Sequence, residues 1–94
     1  MSELAAFSAI VHGLVQGVYF RDFVRRRARE LGLTGFVRNM PLETEVEVVA
    51  EGEREKLEEM LSYLRIGPPG ARVDRVEVYW PQHTGRFPRF EVRY

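Results

Sequence analysis

The chain contains no cysteine, which excludes disulfides, thiolate nucleophiles and zinc or iron–sulfur sites built on cysteine ligands. Stability must come from packing. Net charge is also missing: 14 basic residues balance 14 acidic ones, so no overall field draws in a polyanion such as nucleic acid. Any anion site has to be local. No apolar run approaches the roughly 20 residues that span a bilayer, and Met1-Ser2-Glu3-Leu4 lacks the basic start and apolar stretch of a signal peptide. The expectation is a cytoplasmic protein without a membrane or nucleic-acid partner.

What is present is ordinary for a folded chain: 45% apolar and 30% charged residues. Its 94 residues suffice for one core, so residues 1–94 are expected to form a single domain with one site.

Periodicity predicts the elements. Phe7 to Leu14 alternates loosely and reads as a strand. Val15 to Phe20, with Gly13 and Gly17 close by, interrupts that alternation and reads as a loop. From about Arg21 to Leu31 the apolar positions Phe23, Val24, Ala28 and Leu31 follow a helical stripe, with Asp22 at the positive end and Gly32 as C-terminal cap. Thr34 to Met40 and Glu45 to Glu51 read as strands of a hairpin. A second helix is expected over Glu53 to Ile66, ended by Gly67-Pro68-Pro69-Gly70, followed by strands at Arg72 to Trp80 and Phe90 to Tyr94. This order predicts an α+β, ferredoxin-like βαββαβ sandwich, with two helices on one face of a mostly antiparallel sheet and a short extra C-terminal strand.

Such a sandwich serves many activities, so function has to be read from the site. Val15-Gln16-Gly17-Val18-Tyr19-Phe20-Arg21 joins a strand to a helix, and Gly17 can take the positive φ that turns successive amides inward. The helix start adds unpaired N–H groups and partial positive charge. Arg21, where these meet, offers a planar fork of donors that matches two phosphate oxygens. On spacing alone a tight connection with a solvated arginine explains the same residues, because a short glycine-containing loop is a weak signal.

His12-Gly13-Leu14-Val15-Gln16-Gly17-Val18-Tyr19-Phe20-Arg21 resembles the first signature of the acylphosphatase family, and Gly32-Leu33-Thr34-Gly35-Phe36-Val37-Arg38-Asn39 resembles the second. The likeness continues through Val46 to Gly52 and Gly67 to Ala71 and spans nearly the whole chain. It implies the same sandwich fold and the hydrolysis of acyl phosphates to a carboxylate and inorganic phosphate. It further implies that Arg21 and the amides of Val15, Gln16, Gly17, Val18, Tyr19 and Phe20 bind the phosphate, and that Asn39 orients the attacking water. No metal or cofactor is expected, the partner being a small acyl phosphate and the enzyme a free-standing monomer. A non-catalytic phosphometabolite-binding module and a carbamoyl phosphate hydrolase are the alternative readings.

The chemistry fits a site without a base or metal cluster, because the leaving carboxylate has a conjugate acid of pKa roughly 4 to 5 and departs unprotonated. A loose phosphoryl-transfer transition state asks mainly for positioning and charge. Two departures from the family pattern stand out. Leu42-Glu43-Thr44 replaces the usual Asp-Gly turn, and without Gly or Asn a loop of roughly three to five residues is expected. Tyr19 stands where many relatives have Gly, and either walls the acyl pocket or covers the sheet edge.

Other residues read as structural. His12 is a lone strand histidine, Arg25-Arg26-Arg27 point in different directions around a helix, and Trp80, Phe87 and Phe90 suit core and edge packing.

Overall fold

The computed structural model describes residues 3–94. Alternation along the chain becomes five strands: β1 (Leu4–Leu14), β2 (Thr34–Asn39), β3 (Glu45–Glu53), β4 (Arg72–Tyr79) and β5 (Phe90–Arg93). The two stripes with a helical period become α1 (Phe20–Glu30) and α2 (Arg54–Ile66). The sheet order is β4-β1-β3-β2-β5, antiparallel at every pair except β2 with β5, which run parallel. The expected split sandwich is therefore present, and the extra strand extends it beside β2.

Alternate side chains decide which face is covered. Phe7, Ala9 and Val11 of β1, Val46, Val48 and Ala50 of β3, Val37 of β2 and Phe90 of β5 point to one side and are buried. Against them lie Phe20, Val24 and Ala28 of α1 and Leu57, Met60, Leu61 and Leu64 of α2, in one continuous cluster. Helix α1 packs on β2 and β5, and α2 on β1, β3 and β4. The start of α1 thus lies close to the edge of the sheet that holds the end of β2.

Most elements shift at one or both ends by one or two residues from expectation, and the start of β1 shifts by three. Strand β1 begins at Leu4, since Leu4, Ala5 and Ala6 pair with Glu53, Gly52 and Glu51 although two alanines carry little alternating contrast. Helix α1 begins at Phe20, one residue before Arg21, because the Phe20 ring is fully in the core. Trp80 and Tyr94 fall just outside their strands.

The β2–β3 connection runs from Met40 to Thr44, within the expected length. It closes with Met40 N–H donating to the Glu45 carbonyl and Glu45 N–H donating to the Leu42 carbonyl, both at 3.1 Å. None of its residues has a positive φ, as the lack of Gly and Asn requires.

Residues 83–87 lie over the face of the sheet away from the helices. Phe87 meets Phe36 there at 6.0 Å between ring centroids, and Glu51 accepts hydrogen bonds from Thr84 and Gly85. Trp80 packs edge-on against Phe7 at 6.0 Å, so the aromatic residues do act in core and edge packing.

Candidate active site

The turn from β1 to α1 is shaped by two residues with left-handed backbone. Gly17 has φ 75° with open space around it, and Tyr19, the N-cap of α1, has φ 60°. A non-glycine residue pays roughly 1–2 kcal/mol for this conformation, which explains why Gly suits the position of Tyr19. No side chain caps the helix. Among the described residues, the backbone amides of residues 16–22 donate no hydrogen bond to the protein. Unpaired donors of a turn and of a helix start thus adjoin one space, bordered by Gly17, Tyr19, Phe20, Arg21 and Asp22 but not by Gln16 or Val18, with the positive end of the helix beside it.

That space is a cavity of about 390 Å³ lined by Val15, Gly17, Tyr19, Phe20, Arg21, Asp22, Arg25, Asn39, Val92 and Tyr94. Arg21, one residue into α1, and Asn39, the last residue of β2, thus share one concavity although 18 positions separate them (39 − 21). Both are half-buried. Arg21 thus borders the concavity and is only partly open to solvent. Asp22 pairs not with Arg21 but with Arg25 and, at 3.3 Å, with Arg26, and Arg27 pairs with Glu30 at 3.2 Å. Among the described residues Arg21 has no carboxylate partner; its guanidinium lies 4.6 Å from the centroid of the Tyr94 ring. Its guanidinium donors are not taken up by a carboxylate of the described residues.

The residues expected to form the phosphate loop separate by direction. Val15 and Phe20 send their side chains into the core while lining the cavity floor. Gln16 turns its amide away from the cavity, to the carbonyls of Met40, Leu42 and Glu45. Val18 is half-buried. Tyr19 is 86% exposed and lines the cavity. What this loop can offer a ligand is backbone N–H groups.

Two participants were not anticipated. Tyr94 stacks on Arg21, and Arg25, one turn beyond Arg21, lines the same cavity with its Nε buried and unpartnered. The i,i+4 spacing of Arg21 and Arg25 was a legible signal for the second; nothing local signals the first. His12 lies outside this cavity, between Glu45 at 3.3 Å and Glu77 at 2.5 Å, which ties β1 to both its neighbours.

Fold and site together define a class: a ferredoxin-like α+β sandwich with a cationic, amide-lined cavity of small-molecule size. The sequence model of the acylphosphatase family matches residues 7–92. An acylphosphatase of Dehalococcoides mccartyi is 50% identical over 86 residues, covering 92% of this chain and 94% of that protein. One from Thermus thermophilus is 51% identical over 77 residues, covering 82% and 86%. The crystal structure of an acylphosphatase from Bacillus subtilis superposes with a TM-score of 0.91 at 33% identity, covering 98% of this chain and all of that one. The chain belongs to the acylphosphatase family.

Proposed function

We propose that this chain hydrolyses acyl phosphates to a carboxylate and inorganic phosphate, with Arg21 and the loop amides holding the phosphoryl group and Asn39 placing the water. The reaction is that of its family. The division of labour rests on one observation: Arg21, the unpaired amides around Gly17 and Asn39 line a single cavity.

Each role follows from chemistry. The guanidinium and amides neutralise charge on the equatorial oxygens and hold the phosphorus in line with attack. The Asn39 carboxamide can accept from and donate to a water but takes no proton at neutral pH, so it gives direction only. Water attacks phosphorus, the bond from phosphorus to the acyl oxygen breaks, and the carboxylate leaves with the bonding electrons. The proton of the attacking water passes to a phosphate oxygen. Among the described residues that line the cavity the acidic side chain is Asp22, and it is tied to Arg25 and Arg26, which supports a mechanism without a side-chain base. We further take the enzyme to act without metal, as a cytoplasmic monomer on a small-molecule substrate; light scattering at the mass of one chain checks the oligomeric state.

The test is phosphate release from acetyl phosphate in the presence of EDTA. Full activity is expected, and dependence on added Mg2+ would contradict the metal-free step. Arg21→Ala is expected to lose turnover and phosphate inhibition together, by about 2–4 kcal/mol. Retained phosphate inhibition would remove Arg21 from the phosphate grip.

A further inference from the structure

Gln16 belongs to the turn that is to hold the phosphate, yet its side chain serves the other half of the site. Its Nε2 lies 3.0 Å from each of three carbonyl oxygens, those of Met40, Leu42 and Glu45. Only the NH2 end of a carboxamide can face three acceptors, so the orientation of this side chain is fixed by its surroundings. Two hydrogens shared among three carbonyls gather the connection between β2 and β3 around one atom.

These carbonyls begin immediately after Asn39. Met40 follows it in sequence, and Glu45 opens β3 next to Val46, the residue paired with Asn39. A second tie runs beside the first, from Gly13 N–H to the Thr44 carbonyl at 2.9 Å. The connection has no Gly or Asn to set its course by backbone preference. Its path is instead held from outside, by the loop that carries the phosphate amides.

We infer that Gln16 is a positioning residue that couples the phosphate loop to the β2–β3 hairpin and thereby sets the placement of Asn39 relative to the bound phosphoryl group. The inference rests on the assignment of water placement to Asn39. Attack in line needs the water held to a fraction of an ångström, so a hairpin freed from the loop lowers turnover while the phosphate grip, made by Arg21 and the amides, remains. Gln16 itself touches neither substrate nor water.

Gln16→Met tests this, since it keeps the length and packing of the side chain and removes the donors. Near-ultraviolet circular dichroism and the unfolding midpoint establish that the variant folds, and Gln16→Glu, which sets a carboxylate against three carbonyls, provides a second variant. The expected result for Gln16→Met is a fall in kcat of about 10- to 100-fold with the phosphate inhibition constant nearly unchanged. In an Asn39→Ala background the same substitution is expected to change kcat by no more than about twofold, because a residue acting through Asn39 has nothing left to position. Phosphate inhibition lost in step with kcat, or a full loss repeated in the Asn39→Ala background, overturns the inference. If Asn39→Ala alone leaves kcat intact, the water assignment fails and takes this inference with it. A lowered kcat in Asn39→Ala beside an unchanged one in Gln16→Met overturns the coupling alone.

Discussion

Tyr19 holds a left-handed backbone in a position open to solvent on its side-chain side. Comparing Tyr19→Gly with Tyr19→Ala isolates the backbone, because both remove the ring. At φ 60° the glycine variant is expected to be the more stable of the two by about 1 kcal/mol, measured by urea unfolding. At an ordinary φ the order reverses, since glycine has the larger unfolded-state entropy, so a more stable alanine variant would contradict the conformation. The left-handed backbone at Tyr19 is compatible with the expectation of a position that suits Gly, and that Arg21 and Asn39 share one cavity agrees with the reading of the two signatures. The direction of the Gln16 side chain was not legible in the sequence, because its partners lie 24 to 29 residues away and contact it only through backbone carbonyls. The stacking of Tyr94 on Arg21 likewise joins residues far apart in the chain and leaves no local pattern.

Between β4 and β5, residues 80–89 are pinned by one carboxylate. Glu51 is 3% exposed and receives the amides of Thr84 and Gly85, the latter at 2.8 Å, and the Thr84 hydroxyl at 2.8 Å, with His83 Nε2 at 3.7 Å. Burial by itself raises the Glu51 pKa, but the Gly85 and Thr84 hydrogen bonds and the nearby His83 together outweigh it and hold the carboxyl below its ordinary 4.5. The unfolded chain then binds the proton more readily than the folded one. The stabilisation is complete above the ordinary value and is lost as pH falls through the lowered folded value. Glu51→Gln is expected to destabilise the protein by about 1–3 kcal/mol at neutral pH, with the gap to the parent closing on acidification below 4.5. Urea titrations across that range measure it; a gap independent of pH would show that ionised Glu51 is not the anchor. In the sequence, Glu51 looks like one more outward glutamate of an alternating strand, after Glu45 and Glu47. The alternation located β3 but gave no sign that a distant loop covers that face. Strand β1 was similarly shortened in the sequence reading by Ala5 and Ala6, whose small side chains carry no inside–outside contrast.

At the scale of the whole molecule, the site exists because the split topology folds two distant segments to one end. Helix α1 follows β1, an interior strand, and packs on β2 and β5, which brings its start beside the last residue of β2. The order of elements made this fold legible, since alternating and helical periods follow one another in the split βαββαβ sequence. The placement of β5 parallel to β2 was not legible, because no short-range signal says which edge a final strand joins. The same topology separates the two proposed roles: Arg21 and the amides, assigned to charge, come from one segment, and Asn39, assigned to direction, from the other. Steady-state kinetics of Asn39→Ala on acetyl phosphate, with inorganic phosphate as competitive inhibitor, measures that separation most directly. A fall in kcat of about 100-fold or more with the phosphate inhibition constant nearly unchanged is the expected result. Phosphate inhibition collapsing together with kcat, or kcat left intact, would contradict it.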